Sequence, residues 1–278
     1  MGYNTTPLKT EKLASVHRML AQGPPNSGKT SAFCHTWPRP SAILVAPGER
    51  GDAAIPRGEA DLTPFVWTED NPLERLASSA VVTAVETLTY EILGGKHGTF
   101  KSFCFDGWHK YYGYVLDWIS GGALFKGQNI GNPDDPYSSA RIYNRAREHT
   151  RHFAQTINAS PIENILFTCW DGREPDKASQ GFKGTQHIFP NLPGQAAKEF
   201  MGEFGLVVYT EINWGGRQPK SLAPATFQLL PEGEVWGCCV KAPLEMIKHL
   251  PVRCGQSYPV LEKVLADAWA ASRAEGKT

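Results

Sequence analysis

Gly23-Pro24-Pro25-Asn26-Ser27-Gly28-Lys29-Thr30 stands near the start of the chain. It fits G-x-x-x-x-G-K-[ST] at every fixed position, the pattern of a phosphate-binding loop. Two glycines let the backbone wrap a phosphate closely, so that several N–H groups point at the anion. Lys29 is spaced to reach the β/γ-phosphates and Thr30 to ligate Mg²⁺. The helix that continues through Ser31 adds its positive N-terminal end. The flanks agree with the motif. Ser15 to Leu20 reads as a buried strand entering Gly23, and Lys29 to His35 as a helix. That helix stops before Trp37-Pro38, because a residue preceding proline avoids helical geometry.

Moving outward, Ser41 to Ala46 is an apolar run bounded by Pro40 and Pro47-Gly48, a buried parallel strand by composition. It empties into Gly48-Glu49-Arg50-Gly51-Asp52, a polar loop at a strand C-terminus, where open α/β sheets place ligands. Phe65 to Trp67 reads as a further short strand, and Asn71 to Leu76 and Val81 to Leu93 as helices, the second of them ended by Gly94-Gly95. Phe100 to Asp106 is an apolar strand ending in a carboxylate, which nominates Asp106 to hold Mg²⁺ opposite Thr30. The next residue is Gly107, so a carboxylate that orients water must come from elsewhere. Glu49 is the first choice, with Asp52 behind it.

The chain has 278 residues, with 28 Lys+Arg against 28 Asp+Glu, so nothing global pulls it toward nucleic acid or membrane. Hydrophobic residues make up 41%, the range of an ordinary globular protein. No apolar run reaches the length of a membrane span, and no membrane partner is expected. A cytoplasmic location is expected. Cys34, Cys104, Cys169, Cys238, Cys239 and Cys254 form no C-x-x-C pair and have no His at metal spacing, which reads as free buried thiols.

Later in the chain, Tyr111 to Ile119 reads as an aromatic helix and Gly127 to Tyr137 as a turn-rich loop. Ser139 to Asn158 is an amphipathic helix, with Arg141, Arg145, Arg147 and Arg151 off its apolar stripe. Ile165 to Trp170 is another buried strand, followed by a long loop from Asp171 to His187. Basic and aromatic residues on that loop (Arg173, Lys177, Phe182, Lys183) suit single-stranded nucleic acid, through backbone charge and base stacking. Ala196 to Phe204 reads as a helix. Leu206 to Ile212, Thr226 to Leu230 and Val235 to Val240 read as antiparallel strands extending the sheet, ahead of a closing helix at about 258–272. With no repeat and no linker, a single domain over 1–278 is expected.

The order of P-loop, Glu49, Asp106, the strand ending at Trp170, Pro193-Gly194-Gln195 and Lys241 resembles the RecA-like ATPase core, over roughly residues 15–241. More narrowly it resembles phage-encoded nucleotide-binding proteins, including the core-only RecA-like single-strand-annealing ATPases. The resemblance implies an α/β fold: a mainly parallel central sheet, helices on both faces, and a C-terminal antiparallel extension. It implies ATP and Mg²⁺ as cofactors, with Gly23 to Ser31 around the nucleotide and Thr30 and Asp106 on the metal. Lys29 and Glu49 become catalytic, and Lys241 reaches the γ-phosphate of a neighbouring subunit in a homo-oligomer. The implied partners are single-stranded DNA and a single-strand-binding protein. The zero net charge motivates an alternative, a nucleotide-dependent assembly or switch module that binds a protein partner and no DNA. A small-molecule kinase ranks last, because no arginine-rich lid follows the late strands.

Overall fold

Strand β1 (Arg18–Gly23) runs straight into the glycine-rich loop, and helix α1 (Lys29–Thr36) leaves it. The computed structural model describes residues 18–25, 27–49, 51–67, 77–135, 137–175, 186–193, 195–210, 239–241, 249–251 and 257–275. After α1 come β2 (Ser41–Val45), a 3-10 turn (Gly51–Ala54), β3 (Leu62–Phe65), α2 (Ser78–Leu93) and β4 (Ser102–Asp106). Next are α3 (Trp108–Ile119), α4 (Ser138–Asn158), β5 (Asn164–Pro175), β6 (Gln186–Pro190) and α5 (Gln195–Gly202). The last described elements are β7 (Leu206–Tyr209), β8 (Cys239–Lys241) and α6 (Tyr258–Glu275).

The sheet runs β3-β2-β4-β5-β1-β7-β8, with β6 paired to β5. The strands from β3 to β7 in that order are all parallel, and β8 joins the edge antiparallel to β7. This is the expected α/β fold, a mainly parallel sheet with helices on both faces. The Asp106 strand is not a neighbour of the P-loop strand, because β5 lies between them. Parallel strands end on one side, so the C-termini of β1, β2, β4, β5 and β7 meet there.

Side chains alternate across the strands and divide the core in two. Leu20, Leu44, Phe103, Phe105, Phe167 and Val207 pack on the face covered by α2 to α5. Met19, Ile43, Cys104, Leu166 and Val208 pack on the face covered by α1 and α6. Both faces are buried, which is why these strands read as unbroken apolar runs rather than alternating ones. The first face is aromatic: Trp108 stacks on Phe200 at 4.9 Å and Phe153 at 5.9 Å, and meets Phe167 edge-on. Cys34, Cys104 and Cys169 are buried free thiols, and burial pushes Cys34 and Cys169 up to about 12.

Four expectations need correction. The segment after Gly205 pairs parallel to β1, not antiparallel, since α5 carries the chain back across the sheet before β7 begins. Asp171 onward is not all loop: β5 continues to Pro175 and pairs with β6, from Asp171↔Pro190 to Pro175↔Gln186. Ladder hydrogen bonds hold this arm, so its sequence lacks the apolar signature. Helix α3 starts at Trp108 rather than Tyr111, because the left-handed Gly107 (φ 90°) turns the chain directly from β4 into the helix. Strand β3 ends at Phe65 instead of beginning there. The expected helix Asn71 to Leu76, strand Thr226 to Leu230 and the start of strand Val235 to Val240 lie outside the described residues.

Candidate functional site

The loop is shaped by its glycines and braced by β7. Gly28 takes φ 86° at the helix cap, a conformation that only glycine adopts routinely. A Cβ on Gly23 would overlap the Thr210 carbonyl and hydroxyl, so the loop can approach β7 only with glycine there. Thr210 holds Ser27 hydroxyl to hydroxyl at 2.7 Å and donates its N–H to the Gln22 carbonyl at 2.7 Å. Lys29 is buried; its ammonium donates to the carbonyls of Gly23 (3.0 Å) and Pro24 (2.9 Å) and to Ser27 Oγ (3.2 Å). Burial pushes the Lys29 ammonium below its ordinary range, opposed by Asp106, Cys169, Glu49 and Asp171. The lysine therefore stands inside the loop, among the groups that would face a phosphate.

Thr30 and Asp106, the two residues expected on the metal, lie side by side. Thr30 Oγ1 donates to both Asp106 oxygens, at 2.9 and 3.0 Å, across the intervening strand. Thr168 on that strand donates to Asp106 Oδ1 at 2.5 Å and accepts the Gly107 N–H at 2.9 Å. Burial pushes the Asp106 carboxyl up, against the Thr168 and Thr30 hydrogen bonds and the Lys29 charge. The 3-10 turn passes close by: a Cβ on Gly51 would overlap Asp106 Oδ2. Among the described residues no group of three or more His, Cys, Asp or Glu gathers as a metal cage. Mg²⁺ held by a hydroxyl, a carboxylate and substrate phosphates needs no such cage, so Thr30 and Asp106 fit that ion.

Glu49 arrives by a tight turn. Its N–H donates to the Ala46 carbonyl at 3.0 Å, with Pro47 and Gly48 (φ 78°) between them. Proline second and left-handed glycine third is the signature of a type II turn. The Glu49 stem then lies over Gly107, where a Cβ would stand 2.9 Å from Glu49 Cβ and Cγ. Its carboxylate meets His109 of α3, with Oε2 at 3.3 Å from Nε2, both residues largely buried. Burial, then Lys110 and Lys29, push the His109 imidazole down to about 3, so it is neutral at physiological pH. The ring packs on Trp170 at a 30° tilt with centroids 4.4 Å apart, and Lys110 Nζ lies 4.7 Å from the Trp170 ring centroid.

No known protein family's profile matches this chain, and no curated protein matches it. Solved structures do. One is the assembled ATPase EscN of the enteropathogenic E. coli type III secretion system, at 16% identity and a TM-score of 0.41, over 72% of this chain and 44% of that one. Another is EscN in complex with its central stalk EscO, at 13% identity and a TM-score of 0.38, over 70% and 42%. This chain spans less than half the length of those it matches. The fold assignment rests on the strand order and the loop geometry.

The structure thus brings together Gly23, Pro24, Ser27, Gly28, Lys29, Thr30, Asp106 and Glu49, with Pro25 at the loop's exposed tip and Ser31 next on α1. Asn26 lies outside the described residues, and Asp52 lies in the 3-10 turn. Lys241 is not gathered here. It pairs with Val207, which pairs with Leu20, so its backbone sits three residues short of Gly23, roughly 10 Å along the sheet. Arg173 lies on the β5–β6 arm opposite Ile188, while Lys177, Phe182 and Lys183 lie outside the described residues. Among the tryptophans, Trp37 and Trp108 are core, Trp67 packs against the core, and Trp214 lies outside the described residues. Sequence reading missed Gly51, Thr168, His109 and Trp170. Thr168 did leave a signal, as the one hydroxyl in the apolar run Ile165 to Trp170.

Proposed function

We propose that this chain is a Mg²⁺-dependent ATPase acting on single-stranded DNA in phage recombination or annealing, working as a homo-oligomer. The observation that carries the ATPase half is the convergence of Lys29, Thr30, Asp106 and Glu49 from the ends of β1, β4 and β2 on one mouth. ATP with Mg²⁺ supplies the transferable phosphoryl group and part of the charge that neutralises it. The chain supplies positioning and electrostatics, which is most of what phosphoryl transfer asks of a protein. The loop N–H groups and Lys29 bind the phosphates, Thr30 and Asp106 hold the ion, and Glu49 orients the attacking water. Lys241 from a neighbouring subunit meets the developing charge.

Support for DNA comes from the arm. Trp170 and Lys110 place an aromatic face and a cation at the arm's root, and Arg173 follows on β5. Such pairs bind bases by stacking and the strand by charge. The test is steady-state ATP hydrolysis with and without single-stranded DNA, at low and raised salt. The expected result is several-fold stimulation that fades as salt rises. DNA-indifferent turnover at low salt contradicts the DNA half and returns the protein-partner alternative.

A further inference from the structure

His109 owes its place to Gly107. The left-handed turn there starts α3 at once, so the first helical turn sits above the ends of β4 and β5. Trp108 drops into the aromatic core, and His109, the next residue, points instead between Glu49 and Trp170. Its two ring nitrogens face two different groups. Nδ1 accepts the Trp170 backbone N–H at 3.4 Å. Since the nitrogen that accepts carries no proton, Nε2 is the protonated one. That Nε2–H faces Glu49 Oε2 at 3.3 Å, in a contact that falls short of full hydrogen-bond alignment. Catalytic hydrogen bonds are often long before substrate arrives and tighten in the complex.

The anchor behind the ring is firm. At Trp170 the strand's pairing passes from β1 (Gly23↔Trp170) to β6 (Asp171↔Pro190). Its N–H goes to His109 and its carbonyl accepts the Asn191 N–H at 2.7 Å. The imidazole is therefore fixed by stacking and by a pinned peptide, with one donor left to aim. Mere packing on Trp170 needs only a ring. A buried ring nitrogen turned to a carboxylate costs desolvation unless the two are paired.

We propose that His109 is a positioning residue: as the Nε2–H tautomer anchored on the Trp170 peptide, it holds the Glu49 carboxylate in the orientation that directs water. The proposal rests on the reading of Glu49 given under the proposed function. Amide geometry provides the test, because Gln places an N–H near where Nε2 stands and Asn places an oxygen near Nδ1. His109→Phe keeps the stack and loses the donor. Measured as kcat and KM for ATP, His109→Phe and His109→Asn are expected to lose about 10- to 100-fold in kcat, the scale of a misplaced catalytic group. KM should stay within about 3-fold of wild type, and His109→Gln should regain most of the loss. Full kcat in His109→Phe, or equal loss in Phe and Gln with a raised KM, overturns the proposal. Glu49→Gln beside them separates the two readings. If it turns over normally the Glu49 assignment fails, and if it alone is inactive only the His109 proposal fails. Should His109→Phe not fold, the ¹⁵N shifts of the wild-type imidazole decide: a protonated Nε2 and bare Nδ1 at pH 7 support it, and the reverse tautomer overturns it.

Discussion

Glu49 and Gly107 share one small space at the mouth of the sheet. The aliphatic stem of Glu49 covers the Gly107 α-carbon, and any side chain there would stand within 2.9 Å of it. Gly107→Ala therefore does two things. It forces alanine into a left-handed conformation at φ 90°, costing about 1–2 kcal/mol of stability, and it pushes Glu49 off its turn. The expected outcome is a lower Tm and a kcat reduced about 10- to 100-fold, with nucleotide affinity kept, read by thermal unfolding and by a fluorescent ATP analogue. His109 gives a second prediction. It stays neutral in the fold down to about pH 3, whereas the unfolded imidazole takes a proton near 6.5. Below 6.5 the unfolded chain binds more protons, so stability falls with pH across that window. At pH 5 the His109 contribution amounts to about 2 kcal/mol. Urea midpoints at pH 7 and pH 5 should drop less in His109→Gln than in wild type; equal drops contradict the assignment.

Elements separate into those that announced themselves and those that did not. Strands β1, β2 and β4 are buried on both faces, so their apolar runs and terminal Gly, Pro or Asp were readable directly, and with them Lys29, Thr30, Asp106 and Glu49. The second half of β5 was not, because Asp171 to Pro175 is a polar stretch whose strand pairing with β6 leaves no apolar run to read. Nor was the parallel direction of β7, which depends on where α5 returns the chain. His109 was hidden for a related reason: its role depends on a helix start set by one residue's φ angle. The arm carries its own prediction. Its register ends at Pro175↔Gln186, so replacing the connection 176–185 by Asn-Gly closes it with a two-residue hairpin turn. Basal ATP turnover should persist while stimulation by single-stranded DNA is lost; retained stimulation moves DNA contact off the connection. On the covered face, Trp108→Ala removes the ring on which Phe153, Phe167 and Phe200 pack, and about 3–5 kcal/mol of unfolding free energy with it.

For the molecule as a whole, strand order does the assembling. With β5 inserted between β1 and β4, Thr30 and Asp106 meet across a strand that adds the Thr168 hydroxyl to Asp106 and the Trp170 N–H to His109. One strand therefore touches both Asp106 and the His109 ring behind Glu49, and continues into the arm that carries Arg173. The proposed ATPase requires that Glu49 serve turnover and not nucleotide binding. Mg²⁺-ATP affinity and single-turnover hydrolysis measured together in wild type, Lys29→Ala and Glu49→Gln test it directly. Glu49→Gln is expected to bind Mg²⁺-ATP as wild type does and to hydrolyse it at least about 100-fold more slowly, while Lys29→Ala loses both. Hydrolysis by Glu49→Gln at the wild-type rate would contradict that role for Glu49.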